Sequence, residues 1–323
     1  MKVFITGAAG FIGSHLVEKC VAAGYHVKGF IHYNSRNHWG WLDKSPIKNE
    51  IEIVTGDIRD YDSVLGAMKG CESVFHLAAL IGIPYSYISP LAYIRTNIEG
   101  TYNVLQASRE NELSNIIITS TSETYGTAQY VPIDEKHPVV GQSPYSASKI
   151  SADQLAISYH RSFGLPVKIV RPFNTYGPRQ SARAIIPTII TQIAKKQKRI
   201  SVGNLEPTRD FTYVSDTVDG FIEIYRSEKL FGDVTNIGMN KEISIANLVR
   251  LIADIMKADI EIERDEKRVR VQTSEVEHLC CDNKKLCSNT AWKNKFTLQE
   301  GLVQTIEWMK SNVDMYKTDV YNV

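Results

Sequence analysis

A glycine-spaced turn closes the first hydrophobic run of the chain, and it limits what that run can belong to. Val3, Phe4 and Ile5 read as a buried strand, and Gly7, Gly10 and Gly13 follow in a loop that opens into a helix. Strand, glycine loop and helix in that order are what a dinucleotide-binding βαβ unit needs. One glycine permits the tight turn, one lets the backbone approach a pyrophosphate, and one lets helix and strand pack closely. The free N–H groups and the dipole at the helix start then face the phosphates, here through Phe11, Ile12 and Gly13. The helix runs through Ser14 to Ala23 and stops at Gly24, a good residue just past a helix end. The motif starts almost at Met1, so no signal peptide is expected ahead of it.

The bulk properties fit an enzyme working on small molecules. The 323 residues allow two domains or one large one, and 43% hydrophobic content supplies sizeable cores. A net charge of +1 gives no broad basic face for nucleic acid. No apolar run approaches the roughly 18 residues of a membrane span. Five cysteines, an odd number scattered through a long chain, predict reduced thiols and a cytoplasmic setting. His278, Cys280, Cys281 and Cys287 form a loose cluster, but adjacent cysteines do not match zinc spacings, and no metal site is expected.

Strand and helix patterns alternate, which predicts an α/β fold: a Rossmann doubly wound parallel sheet with a smaller, interleaved C-terminal domain. The patterns place strands at 2–6, 26–31, 51–54, 73–77, 115–119, 167–171 and 234–237. Helices are expected at 11–23, 60–69, 91–111, 144–163, 185–195, 244–256 and 298–310. Ser143 caps the fourth of these, and Pro144 suits its first turn. The expected nucleotide-cofactor domain is 1–172 plus about 210–240. The expected substrate domain is about 173–209 and 241–323.

Ligands in such sheets bind at the carboxyl ends of the strands. Those ends deliver Asn34, Ser35 and Arg36 after strand two, Asp57 and Ile58 after strand three, Leu77 to Ala79 after strand four, and Thr121, Ser122 and Glu123 after strand five. Tyr145 and Lys149 then follow, four apart on a helix and so on one face. A nearby ammonium, and a positively charged nicotinamide, would lower the tyrosine pKa. Tyr145 would then take a hydroxyl proton while hydride leaves for the cofactor. A Tyr-x-x-x-Lys pair alone carries little weight; its place after the fifth strand gives it meaning.

Thr6-Gly-Ala-Ala-Gly-Phe-Ile-Gly13, Asp57-Ile58, His76-Leu-Ala-Ala79, Asn97-Ile-Glu-Gly-Thr101, Tyr145-Ser-Ala-Ser-Lys149 and Arg171-Pro-Phe-Asn-Thr-Tyr-Gly-Pro178 together resemble the extended short-chain dehydrogenase/reductases, and among them the nucleotide-sugar epimerases and dehydratases. The likeness spans essentially the whole chain. It implies a cofactor cleft built from Gly7, Gly10, Phe11, Ile12, Gly13, Asp57, Ile58, Leu77, Ala78, Ala79, Asn97, Tyr145 and Lys149. It also implies substrate contacts from Tyr85, Asn174, Arg179, Arg209 and Arg270, with Arg209 and Arg270 on the pyrophosphate, where guanidinium groups suit bidentate recognition.

At strand five, Thr121-Ser-Glu123 resembles the Thr-Ser-Glu form of the GDP-mannose 4,6-dehydratases. It departs from the Thr-Asp-Glu form of the dTDP-glucose enzymes, because Ser122 stands where the Asp would be. The implied reaction oxidises the sugar C4 hydroxyl, removes the acidified C5 proton, expels water from C6 and returns hydride to C6. Tyr145 is the expected C4 base and Glu123 the C5 base, with Thr121 bonding the C4 oxygen. Ser122 is too weak an acid to protonate the departing hydroxyl alone, which leaves Glu123 or a water for that step.

Tyr33-Asn-Ser35, Trp39-Gly-Trp-Leu-Asp43, Ile83-Pro-Tyr-Ser86, Gln142 to Lys149 and Phe173 to Arg183 further resemble the 4,6-dehydratases of legionaminic acid synthesis. That implies GDP- or UDP-N-acetylglucosamine as substrate, with GDP preferred. No Asp or Glu lies between Val27 and Trp41 to bond the ribose 2′-hydroxyl of NAD, and Arg36 is placed to meet a 2′-phosphate. The residues thus lean to NADP, the family to NAD, and the expected cofactor is a tightly held NAD(P)+. A 4-epimerase and a non-catalytic dinucleotide-binding regulator are the competing readings. The family likeness also implies a homodimer through a four-helix bundle of helices 91–111 and 144–163, with Leu155 and Tyr159 on the shared face.

Overall fold

The computed structural model describes residues 1–269 and 272–316. In chain order the first part runs β1 (Lys2–Thr6), α1 (Phe11–Ala22), β2 (His26–His32), β3 (Glu52–Gly56), α2 (Tyr61–Met68), β4 (Ser73–His76), α3 (Ile83–Ile88), α4 (Pro90–Tyr93), α5 (Gly100–Glu110), β5 (Asn115–Thr119), α6 (Pro144–Phe163) and β6 (Val167–Pro172). The second part runs β7 (Asn174–Tyr176), α7 (Ile185–Ala194), β8 (Arg199–Val202), β9 (Thr208–Tyr213), α8 (Val214–Arg226), β10 (Val234–Ile237), β11 (Glu242–Ser244), α9 (Ile245–Met256), β12 (Glu261–Arg264), α10 (Lys284–Asn289) and α11 (Leu298–Lys310).

Seven strands form one parallel sheet in the order β3-β2-β1-β4-β5-β6-β10. Helices cover both faces, the doubly wound α/β arrangement the alternation predicted. Side chains alternate across β1 with period two. Val3 and Ile5 pack with Leu16 and Val17 of α1 and with Phe221 and Ile222 of α8. Phe4 faces the other way, into a core with Val64 and Met68 of α2, Val104 and Leu105 of α5 and Ala156 of α6. Each such buried Val, Leu, Ile, Phe or Met side chain contributes about 1.5–3 kcal/mol. Strand order reverses between β1 and β4, so the crevice for a ligand opens there.

The second part builds its own apolar cluster from Ile186, Ile189 and Ile190 of α7, Leu248 and Ile252 of α9, and Leu302 and Ile306 of α11. It rests on a three-stranded sheet, β11-β9-β7, and a parallel pair, β12-β8. The cap expected on α6 is present: Ser143 and Ser146 bond each other's backbone N–H, and Pro144 occupies the first turn. Such a cap is worth about 1 kcal/mol.

The helix expected over 91–111 is not continuous. A π-helical turn, Ile94–Glu99, separates α4 from α5. Its Asn97 is pulled out of register by tertiary bonds. The side chain accepts from Leu80 N at 2.9 Å and donates to Leu80 O and to Ser148 Oγ, both at 2.9 Å. Such turns sit frequently at functional sites. Tyr159 is buried within the chain, its hydroxyl donating to Gln106, and Leu155 packs against the same core. Among the described residues no helix is long and apolar enough to cross a membrane, no group of three or more metal-ligating side chains occurs, and all five cysteines are free thiols.

Candidate active site

The carboxyl ends of the sheet strands open into a cleft of about 950 Å³ that extends under the second part of the chain. At its near end the glycine turn leaves no room for side chains. Gly7 has φ +68°, and a Cβ on Gly13 would lie 2.1 Å from the Gly7 carbonyl oxygen. Helix α1 starts at Gly10 with no side-chain cap and no acidic residue in its first turn. Its leading N–H groups and positive dipole end therefore suit a pyrophosphate, and the cradle fits a dinucleotide. Thr6 holds the floor: its Oγ accepts from Leu77 N and Ala78 N, both at 3.1 Å, and bonds His76 Nδ1 at 2.8 Å. Burial lowers His76 to about 3, so it is neutral. Gly7, Gly10, Phe11, Ile12, Gly13, Asp57, Ile58, Leu77, Ala78 and Ala79 all line the cleft.

Asn34, Ser35 and Arg36 are not among the lining residues. The loop after β2 folds on itself instead: Asn34 accepts from His38 N at 3.0 Å and donates to His38 O at 2.9 Å, while Ser35 and Arg36 face solvent. Asp57 is the acidic group at this end. Side-chain bonds from the Arg59 guanidinium, with one from its backbone N–H, hold the Asp57 carboxyl down at about 2. Asn97 is also outside the lining; it braces Leu80 and α6 from behind.

Tyr145, Lys149, Thr121, Ser122 and Glu123 line one stretch of wall. Thr121 caps a short turn by accepting from Glu123 N at 3.3 Å, which turns Glu123 toward the cleft side of β5. Burial holds the Tyr145 phenol well above the usual tyrosine range. A hydrogen bond from Thr121 opposes that shift, and the charge of Glu123 adds to it. Glu123 and Tyr145, 22 positions apart by number, line the same wall, near enough for the Glu123 charge to raise the phenol pKa. Lys149 Nζ donates to the Thr119 carbonyl at 2.6 Å. Burial brings Lys149 down to about 8, with Asp153 pulling the other way. Tyr93 packs edge-on to Tyr145 with ring centroids 6.2 Å apart.

At the far end, Asn174 and Arg209 line the cleft. Arg209 is paired with Glu275 at 2.9 Å and donates to Thr208 O. Arg179 points elsewhere. Its φ of +72° turns the chain, and its guanidinium binds Ser14 and Glu18 on α1 at 3.1 and 2.8 Å. Tyr85 packs 6.2 Å from Tyr93 outside the lining, and Arg270 lies outside the described residues. Two further guanidinium groups at this end, those of Arg183 and Arg268, line the cleft without having been singled out from sequence, as Arg59 does beside Asp57. Arg183 reaches Gly82, where an added Cβ would sit 3.0 Å from its Nη1. Arg183 and Arg268 each lie within a few residues of an arginine that was singled out, and that closeness was the available signal.

This arrangement has close counterparts. The family model described as GDP-mannose 4,6 dehydratase matches residues 4–305. A Methanocaldococcus jannaschii protein named as a UDP-glucose 4-epimerase is 32% identical over 315 residues, which cover 96% of this chain and 99% of that one. The dTDP-glucose 4,6-dehydratase of Streptomyces antibioticus is 30% identical over 316 residues, 97% of this chain and 93% of that one. Among solved structures, DesIV, a dTDP-glucose 4,6-dehydratase from Streptomyces venezuelae with NAD bound, has a TM-score of 0.87 at 26% identity, covering 98% of this chain and 99% of that one. With a matching family model over nearly its full length, the chain belongs to the GDP-mannose 4,6-dehydratase family of extended short-chain dehydrogenase/reductases, NAD-dependent enzymes that dehydrate or epimerise nucleotide sugars.

Proposed function

We propose that the protein is a nucleotide-sugar 4,6-dehydratase that converts GDP-N-acetylglucosamine, or its UDP counterpart, to the 4-keto-6-deoxy sugar nucleotide and water. The observation that carries this reading is Glu123. A carboxylate lines the same wall as Tyr145 and acts on its phenol. A 4-epimerase has no use for a second base there. NAD, when bound, supplies the hydride acceptor for C4 and gives the hydride back at C6. The chain's own residues move the protons. Tyr145 takes the proton of the C4 hydroxyl while Thr121 bonds that oxygen. The resulting ketone acidifies the C5 hydrogen; Glu123 removes it and passes that proton to the C6 hydroxyl, which departs as water, and C5 is reprotonated from solvent as hydride returns to C6. The protein alone keeps Tyr145 protonated, so the positive nicotinamide and the Thr121 bond together must favour the phenolate. Gly7, Gly10, Gly13, Asp57 and Ala78 would hold the cofactor. Arg209 and Arg268 would meet the diphosphate, and Arg183 the sugar end.

We read the cofactor as NAD: DesIV binds NAD, and Arg36 stands outside the cleft lining. Equally tight binding of NADP in a fluorescence titration contradicts this. The preference for N-acetylglucosamine, linked to GDP or UDP, rests on the likeness of 33–35, 39–43, 83–86, 142–149 and 173–183 to the legionaminic acid dehydratases. Incubation with GDP-, UDP- and dTDP-sugars, followed by mass spectrometry and proton NMR, tests the whole reading. GDP-N-acetylglucosamine should yield a product lighter by one water with a new C6 methyl signal. Unchanged mass with inverted C4, the outcome expected of the M. jannaschii relative's named activity, overturns it. Pairing through α5 and α6 would use the face that leaves Tyr102 and Phe163 exposed, and a monomer by sedimentation contradicts it.

A further inference from the structure

Two consecutive residues at the end of β5 are gripped by α6, and a third stands beside it on the cleft wall. The Thr119 carbonyl accepts from Lys149 Nζ at 2.6 Å. Ser120 Oγ donates to Asp153 Oδ2 at 2.7 Å. Thr121 lines the cleft wall beside Tyr145. The helix residues that meet this turn are 145, 149 and 153, spaced by four and aligned on one face. Tyr145 and Lys149 line the cleft, whereas Asp153 is fully buried and lies behind it.

A carboxylate in that position is costly unless it is paired. Arg171, at the end of β6, supplies the pair: its Nε and Nη2 lie 3.2 and 2.8 Å from the same Oδ2 that takes the Ser120 hydroxyl. Arg171 is itself held over the Tyr125 ring, 4.8 Å from its centroid, and Tyr125 donates to Asn236 on β10. All three bonds to Asp153 converge on one oxygen, and Oδ1 makes none among the described residues. Well-packed apolar residues of similar volume would serve stability as well or better. What the ionic cluster adds is direction. It ties β5, β6 and α6 to one point directly below the turn that carries Thr121, Ser122 and Glu123.

We propose that Asp153, oriented by Arg171, is a positioning residue that sets, through Ser120, the register of the Glu123-bearing turn against the Tyr145 and Lys149 helix. It touches neither sugar nor cofactor. Its effect is on the distance between the C4 base and the C5 base, which must reach adjacent carbons of one ring. The inference rests on the dehydratase reading for the second of those bases.

Ser120→Ala in the full-length holoenzyme is the test, since it deletes one hydroxyl and leaves the Asp153–Arg171 pair in place. Misplacement of reacting groups by about 1 Å costs on the order of 100-fold. The expected result is a kcat lowered about 10- to 100-fold with KM within about two-fold, and faster amide hydrogen exchange over 121–126. Ser120→Thr, which keeps the hydroxyl, should recover most of the rate. Wild-type kcat in Ser120→Ala, with or without a lowered melting temperature, overturns the proposal, as does a loss carried by KM alone. The wild-type product separates the two ideas. If it lacks a C6 methyl, the dehydratase reading fails, and the positioning role is then read from the rate of C4 turnover in the same variants.

Discussion

Tyr145→Phe protein should bind its nucleotide sugar as tightly as wild type and form product at least about 1,000-fold more slowly, within the range that general acid–base groups supply. The change removes one oxygen. The ring keeps its edge contact with Tyr93, and the buried wall of α6 keeps its shape. What is lost is the group that accepts the C4 proton and the bond to Thr121. Calorimetry would report the preserved affinity, and product formation by mass spectrometry the lost rate. A variant with more than about a tenth of wild-type turnover would remove Tyr145 from the reaction.

Glu123→Gln should stop the reaction halfway. Glutamine keeps the size and polarity of the side chain but cannot take a proton from C5. Oxidation at C4 continues, and the elimination slows by about 100- to 10,000-fold. Quenching with borodeuteride should therefore trap a hexose that carries deuterium at C4 and still has its C6 hydroxyl. A pH effect accompanies the change. The Glu123 charge raises the Tyr145 pKa, so its removal lowers it, and the rise of C4 oxidation with pH, which follows deprotonation of Tyr145, should shift to lower pH. Wild-type yields of 6-deoxy product from this variant would remove Glu123 as the C5 base.

The parts of this site that were legible in the sequence are those set by local geometry. The glycine spacing after β1 encodes a turn that no other residue type fits, and the Tyr145 and Lys149 spacing encodes a shared helix face. The first six sheet strands were legible because a parallel sheet buried on both faces demands nearly unbroken apolar runs. What escaped depends on contacts distant in the chain. Helix α8 was missed because Asp216 and Asp219 interrupt its apolar pattern. Both acids prove buried, with Asp216 accepting from Lys295 N and Phe296 N and Asp219 bonded to Lys19 and Lys295. Strands β7, β8, β11 and β12 have three or four residues each, too few to show a period. The π-turn depends on Leu80 and Ser148, which nothing in 91–111 reveals. Arg179 is drawn to Ser14 and Glu18 on α1 while Arg183 lines the cleft, and those α1 contacts, 165 and 161 residues away in the chain, are not visible in 173–183. Likewise, Arg36 was read as a phosphate ligand because the Asn34–His38 bonds that fold its loop away from the cleft leave no trace in composition.

A crystal structure of the Tyr145→Phe protein with NAD and GDP-N-acetylglucosamine would probe the geometry beneath all of this. A carboxylate oxygen of Glu123 should stand about 3–3.5 Å from C5 while the edge of ring 145 faces the C4 oxygen of the same sugar, the separations from which reacting groups engage. A sugar seated with C5 and C6 turned away from Glu123, beyond reach of any shift in the turn that carries it, would contradict the account.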